Sequence, residues 1–236
     1  MTVRFVLISI LYFFSTIFSY YRGEPIKLTT EQIPENEIIE IYNRMDVKLI
    51  NEPYSMELFS CFDVNENGDF IIGIDENAED KILIYDESGH YLYGFVMEGS
   101  GTFGVEWDET NVIVYPVRSN LAVWIDKDGN CQDMKRIPIT TNNNRYWDYV
   151  IRAKERTIAE NQYISSSEPW VLFGRSKLIK IDANGNETVL YAAENGVVFR
   201  EKAEIIIIIL FFVFGLLFVI LKSVKSYKNY VKNMKS

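Results

Sequence analysis

The residue types best suited to chemistry gather in turns. Asp63, Asn65, Asn67, Gly68 and Asp69 follow the opening of a D-x-N-x-N-G calcium loop. In such a loop, oxygens at alternate positions surround a hard cation. The acid that should close it from the far side is replaced by Ile74, and FIIGI after the glycine reads as strand rather than exiting helix. The stretch therefore predicts a hairpin turn. Asp63, Asn65, Asn67 and Asp69 remain weak metal candidates, and no cofactor is expected. Gly99, Gly101 and Gly104 spell G-x-G-x-x-G in GSGTFG. A phosphate site of that kind needs a helix opening on the last glycine, whereas VEWDETNVIVYP predicts turn and strand. His90 is the single histidine, so a multi-histidine metal site is excluded. Ser100 lacks the G-x-S-x-G frame of a nucleophile elbow. With 33 acids in the chain, a pair of carboxylates carries no information. The sequence predicts no catalytic set and no enzyme.

Binding is more open. Trp107, Trp124, Trp147 and Trp170 stand near acids, a pairing that suits sugars or cationic groups. Trp124 sits mid-strand in LAVWID and is expected in the core. Tyr146 and Trp147 lie in a polar insert, TTNNNRYWDY (140–149), and are the best surface candidates for partner binding.

The elements that must position these residues have a period near two. Runs at 69–75, 81–86, 91–97, 112–117 and 121–126 are short, β-branched and aromatic, with Asn/Asp/Gly turns between them. One plan repeats in ILIYDESGHYLY (82–93), LAVWIDKDGNCQDM (121–134) and LIKIDANGNETVLY (178–191). Each is an apolar strand ending in Asp86, Asp126 or Asp182, a glycine three residues on, and a second strand. Weaker hairpins precede them at 65–73, 108–116 and 159–167. A four-stranded unit of this length is the size of a propeller blade. DVNENGDFIIGID, KILIYDESGHYLYGFV and GSGTFG together resemble one blade and its exit in NHL-type propellers. That resemblance covers about 58–191 and implies a mainly β fold of propeller-like antiparallel blades, as a ring or as an open arc. Three units are found where closed propellers use four to eight, and a β-sandwich is the rival. Residues 38–50 fit helix at one end and strand at the other. Cys61 and Cys131, the two cysteines, are read as one bridge or as two buried thiols.

The ends place the domain. Residues 205–221 (IIIIILFFVFGLLFVIL) form an uncharged apolar run of 17, long enough with Ala203 and flanking lysine stems to cross a bilayer. Residues 5–18 form a second apolar run behind Arg4, a signal peptide or an uncleaved anchor. All 33 acids lie between Glu24 and Glu204. Seven of the 24 basic residues lie outside that window: Arg4, Arg22, Lys222, Lys225, Lys228, Lys232 and Lys235. Basic flanks stay cytoplasmic, so the acidic middle is expected outside and the C-terminus inside the cell membrane. The five lysines after 221 fall on one arc of a helix, which predicts a lipid-facing basic tail. The acidic middle also excludes a nucleic-acid partner. The expected organisation is a signal or anchor (1–21), a tether (22–37), a β-repeat domain (38–202), a transmembrane helix (203–222) and a basic tail (223–236). Its expected role is non-catalytic binding or assembly with a cationic protein or a carbohydrate. The alternatives are an accessory subunit of a membrane complex and an extracellular hydrolase or lyase.

Overall fold

The computed structural model describes residues 28–52, 55–76, 79–99, 101–171 and 174–234. The fold is mainly β, with three antiparallel sheets and one long apolar helix at the C-terminal end. The expected N-terminal apolar segment lies outside the described residues.

An opening stretch supplies β1 (Glu31–Gln32), α1 (Glu35–Met45) and β2 (Lys48–Ile50). Residues 38–50, ambiguous in sequence, are thus both helix and strand. Residues 31–37, assigned from the sequence to a tether, enter the fold as β1 and the first turn of α1. Next comes a meander of four strands, β3 (Cys61–Val64), β4 (Phe70–Glu76), β5 (Glu79–Tyr85) and β6 (Tyr91–Glu98). β2 pairs with β6 and completes this first sheet. A second meander holds β7 (Phe103–Asp108), β8 (Asn111–Pro116), β9 (Leu121–Ile125) and β10 (Cys131–Arg136), with β1 added beside β10. The helix α2 (Thr141–Arg152) leads to a third meander, β11 (Glu155–Ile158), β12 (Asn161–Ser166), β13 (Lys177–Ile181) and β14 (Glu187–Ala192). The insert at 140–149, expected as a polar loop, is therefore helical. Thr140 caps it by accepting from the Asn143 N–H, which satisfies one of the donors a helix start leaves open.

The four hairpins that carry Asn/Asp–Gly turns share one geometry. In three of them the Oδ1 of Asp86, Asp126 or Asp182 accepts the backbone N–H groups two and four residues on. The Oδ2 faces the side chain of His90, Asn130 or Asn186. Asn65 makes the same pair of bonds to Asn67 and Asp69. The glycine between them has φ of +90° at Gly68, +84° at Gly89, +77° at Gly129 and +82° at Gly185, a region closed to most side chains.

Alternate residues of a strand face opposite sides, and in the first sheet both sides are buried. Ile71, Ile82 and Ile84 pack with Val105, Val112, Val114 and Val123 of the second sheet. Phe70, Ile72, Leu83 and Tyr85 pack with Tyr163, Leu178, Leu190 and Tyr191 of the third. The outer face of the second sheet is covered by α2, where Ile113, Tyr115 and Ala122 meet Val150, Tyr146 and Trp147. A Cβ on Gly104 of β7 would stand 2.7 Å from Val150 Cγ1, so this close approach requires glycine. The second and third sheets pack on opposite faces of the first, and α2, besides covering the second sheet, reaches the third through Tyr149 and Ile151. Among the described residues, no apolar cluster contains both the second and third sheets.

The third helix, α3 (Asn195–Met234), is separated from β14 by two residues and runs for 40 residues. Val198 and Ile205 are buried against the sheets, while the apolar side chains from Ile206 to Ile220 are exposed. By length and composition it can cross a membrane.

Candidate functional site

Two polar centres stand out in the described residues. The first lies where the leading strands of the three sheets meet. Asp63, in the middle of β3, is flanked by Phe62 and Val64 and its side chain is only 13% exposed. Its Oδ2 accepts the Trp107 N–H of β7 at 2.9 Å, and its Oδ1 accepts from Nε of Arg156 in β11 at 2.9 Å. One carboxylate therefore ties together all three sheets. The Arg156 guanidinium lies 4.5 Å from the Tyr149 ring centre and 5.9 Å from that of Phe62. Arg175 sits 5.8 Å from the Phe62 ring centre and donates to the Ile151 carbonyl. Burial pulls the Arg175 pKa down, and the neighbouring Arg156 adds to the effect.

Beside this tie, Glu106 of β7 accepts from Tyr115 at 2.6 Å and from Tyr146 of α2. Burial pushes the Glu106 carboxyl up, and the two phenol bonds oppose that push. Burial, then the Glu106 charge, pushes both phenols far above their ordinary value. They therefore stay protonated at neutral pH and serve as fixed donors.

The second centre is a cleft of about 520 Å³ at the α3 end of the first sheet. Glu57, Asp75, Glu76 and Glu201 line it together with Arg118 and Arg200. Behind it, the buried Lys81 donates to both Glu57 and Glu76. Burial pushes Glu57 up, and its hydrogen bond with Glu76 adds to this while holding Glu76 down. Gly99 and Gly101 line the cleft, but Gly104 lies in β7 beneath α2. The G-x-G-x-x-G pattern thus leads into a strand, with no helix start for a phosphate.

The residues singled out by sequence are scattered. Asn65, Asn67 and Asp69 bond to one another in the β3–β4 turn, while the Asp63 carboxylate is turned to β7 and β11. The four do not form one cradle. Among the described residues, no group of three or more His, Cys, Asp or Glu could hold a metal. Tyr146 and Trp147 are half-buried on α2, Trp147 edge-on to Tyr115 at 5.6 Å. Lys222 is exposed on α3. The side chains of Lys225, Lys228, Lys232 and Lys235 lie outside the described residues. Both cysteines are free thiols on different sheets. Arg156, Glu106, Tyr115 and Lys81 were missed. For Glu106 and Lys81 the signal that could have found them is a charge beside apolar strand residues, as in FGVEWD and KILIY; Arg156 in ERTI and Tyr115 in NVIVYP carry no such signal.

Fold and site together define a mainly β protein of three stacked antiparallel sheets with one long apolar helix. No protein-family model, curated protein or solved structure matches the chain.

Proposed function

We propose that this chain is a membrane-anchored, extracytoplasmic β-repeat protein that works by binding or assembly. The observation that carries the proposal is α3. Its apolar side chains stand exposed from Ile206 to Ile220, although a water-facing helix places polar residues on its outer face. A bilayer resolves that conflict. The one-sided charge pattern adds the orientation, sheets outside and basic tail inside. In this reading the sheets are propeller-like blades in an open arc. Support comes from the repeated Asp turn, the four-stranded meanders and the meeting of β3, β7 and β11 at Asp63.

Binding is favoured over catalysis because the Asp63, Arg156, Glu106 and tyrosine groups are engaged with one another rather than aimed into a cleft. The acid-rich cleft beside Glu57 and Glu76 suits a cationic group on a partner. A protease added to intact cells should digest the sheet domain and spare an epitope placed after residue 236. Loss of the epitope with an intact sheet domain would overturn the orientation. A partner captured at low ionic strength should be released by salt, and capture indifferent to salt would count against a cationic ligand.

A further inference from the structure

We infer that Trp170, together with Phe199 of α3, forms an interfacial anchor that seats the third sheet in the headgroup layer of the outer leaflet. The inference rests on the membrane reading of α3 and extends it from the helix to the sheet domain. Trp170 occupies a tight turn in which the Val171 N–H donates to the Glu168 carbonyl at 3.1 Å. Its φ is +71°. The third position of such a turn, after proline, is where glycine or asparagine belongs. A bulky side chain held there is an outlier that points to a role outside the fold. The role is not core packing, because Trp170 is 65% exposed while Trp107, Trp124 and Trp147 all pack against apolar clusters.

The turn is pinned to α3 at a defined height. Glu168 bonds Lys177 at 2.8 Å and reaches Lys202 of α3 at 3.5 Å. Val198, Lys202 and Ile205 fall on one stripe of the helix, at steps of four and three. Val198 and Ile205 on that stripe are buried, so the sheet domain covers α3 as far as the first residue of its apolar run. No spacer separates the domain from the hydrocarbon boundary. The protein surface beside this stripe therefore lies at headgroup depth. Phe199, 73% exposed, stands one residue beyond Val198 and lines the same small cavity as Glu168 and Lys202. Tryptophan with its amphipathic ring is the residue that prefers this depth.

The chain has four tryptophans and none lies in α3, so its indole emission reports on the sheet domain alone. The full chain is reconstituted in phosphatidylcholine vesicles containing lipid brominated near the headgroup or deep in the acyl chain. Wild type should show a quenched component, stronger with the shallow label, that Trp170→Phe loses. Trp170→Gly, which suits the turn, should keep or raise the thermal midpoint while losing the same component. If the vesicles retain the protein through an alkaline carbonate wash yet bromolipid quenches wild type and both variants alike, the anchor is wrong and the span stands. If carbonate strips the protein from the vesicles, the span fails and the anchor with it.

Discussion

The first and third sheets are built on one plan and sit in different surroundings. Both are four-stranded meanders with an Asp–Gly turn between their last two strands. In the first, every residue of β4 from Phe70 to Ile74 is buried, because a sheet packs on each face. In the third, burial alternates along β12 and the first half of the outer strand β14 is exposed, with Val189 56% open. β2 covers the outer edge of the first sheet, whereas no fifth strand lies beside β14 among the described residues. Local sequence sets the strands and turns, and neighbours set how much each sheet can contribute to stability. The third sheet is held from one face, by Tyr191 against Phe59 and Tyr85, by the Phe59–Arg175 bridge, and by the Asp63–Arg156 pair.

The comparison breaks most sharply at that ion pair. Asp63→Ala leaves the Arg156 charge buried without its partner, a change that costs about 3–5 kcal/mol. Urea unfolding should show that loss, and amide exchange in β11–β14 should rise before exchange in β3–β6. Replacing both partners, Asp63→Leu with Arg156→Met, should recover most of the stability. A double variant no better than Asp63→Ala would show that the carboxylate matters mainly through the Trp107 N–H.

The middle-layer position of the first sheet is tested next. Ile71→Ala and Ile72→Ala should each cost about 2–5 kcal/mol, because these consecutive residues fill cores on opposite faces. In a two-layer sandwich one of the two would face water and its removal would be nearly silent. Val189→Ala on the third sheet should stay within about 0.5 kcal/mol. An Ile72→Ala effect equally small would detach the third sheet from the core.

The contrast between the sheets also marks what could be read from sequence. The turns were legible because Asp86, Asp126 and Asp182 act through bonds to residues two and four ahead, all inside a short window. Strands β4, β5, β6, β8 and β9 were legible from their period, whereas β3 and β7 were not. The stacking order was not, since whether Ile72 meets a third sheet depends on residues some hundred positions later. α2 was missed because Asn142, Asn143 and Asn144 favour loops over helix by local competition. A tertiary bond overrides that preference, with Asn143 buried and bonded to the Thr29 backbone. Asp63 was noticed because its spacing resembled a cation loop, whereas its ion-pair partner Arg156 lies 93 residues away and outside any local window.

A smaller effect should separate Glu106 from the exposed acids by the sign of its pH dependence. Burial raises its folded pKa above the ordinary value of 4.5. The folded protein then holds the proton more tightly than the unfolded chain. The associated stability is full below 4.5 and is lost as pH rises through the raised folded value. Glu106→Gln keeps an oxygen for the two phenols and removes the titration. The difference in urea midpoint between wild type and this variant should therefore fall with rising pH. A flat difference would place the Glu106 carboxyl in contact with water.

The smallest expected effect asks whether the turns are as independent of their layer as their geometry implies. His90 holds Asp86 below its ordinary value through its backbone N–H. Asn186 does the same for Asp182 through its side chain and then its backbone. For Asp126, burial pushes upward and the Asn130 bonds outweigh it. Their contribution has the opposite sign to that of Glu106. It is present above 3.8, the unfolded value, and is lost as pH falls through the lowered folded values. Asp→Asn keeps an oxygen facing the two N–H groups but removes the charge, so at neutral pH it should lose only the small stability that the lowered pKa represents. Asp→Ala removes the acceptor and should lower Tm slightly. Because the bonds are local and solvent-exposed, Asp86→Ala in the buried first sheet and Asp182→Ala in the open third should lower Tm alike. A clearly larger drop at Asp86 would mean that the turn draws strength from β14, whose Leu190 carbonyl lies 2.8 Å from where a Gly89 Cβ would stand. The repeat would then be a product of the stacking rather than its starting point.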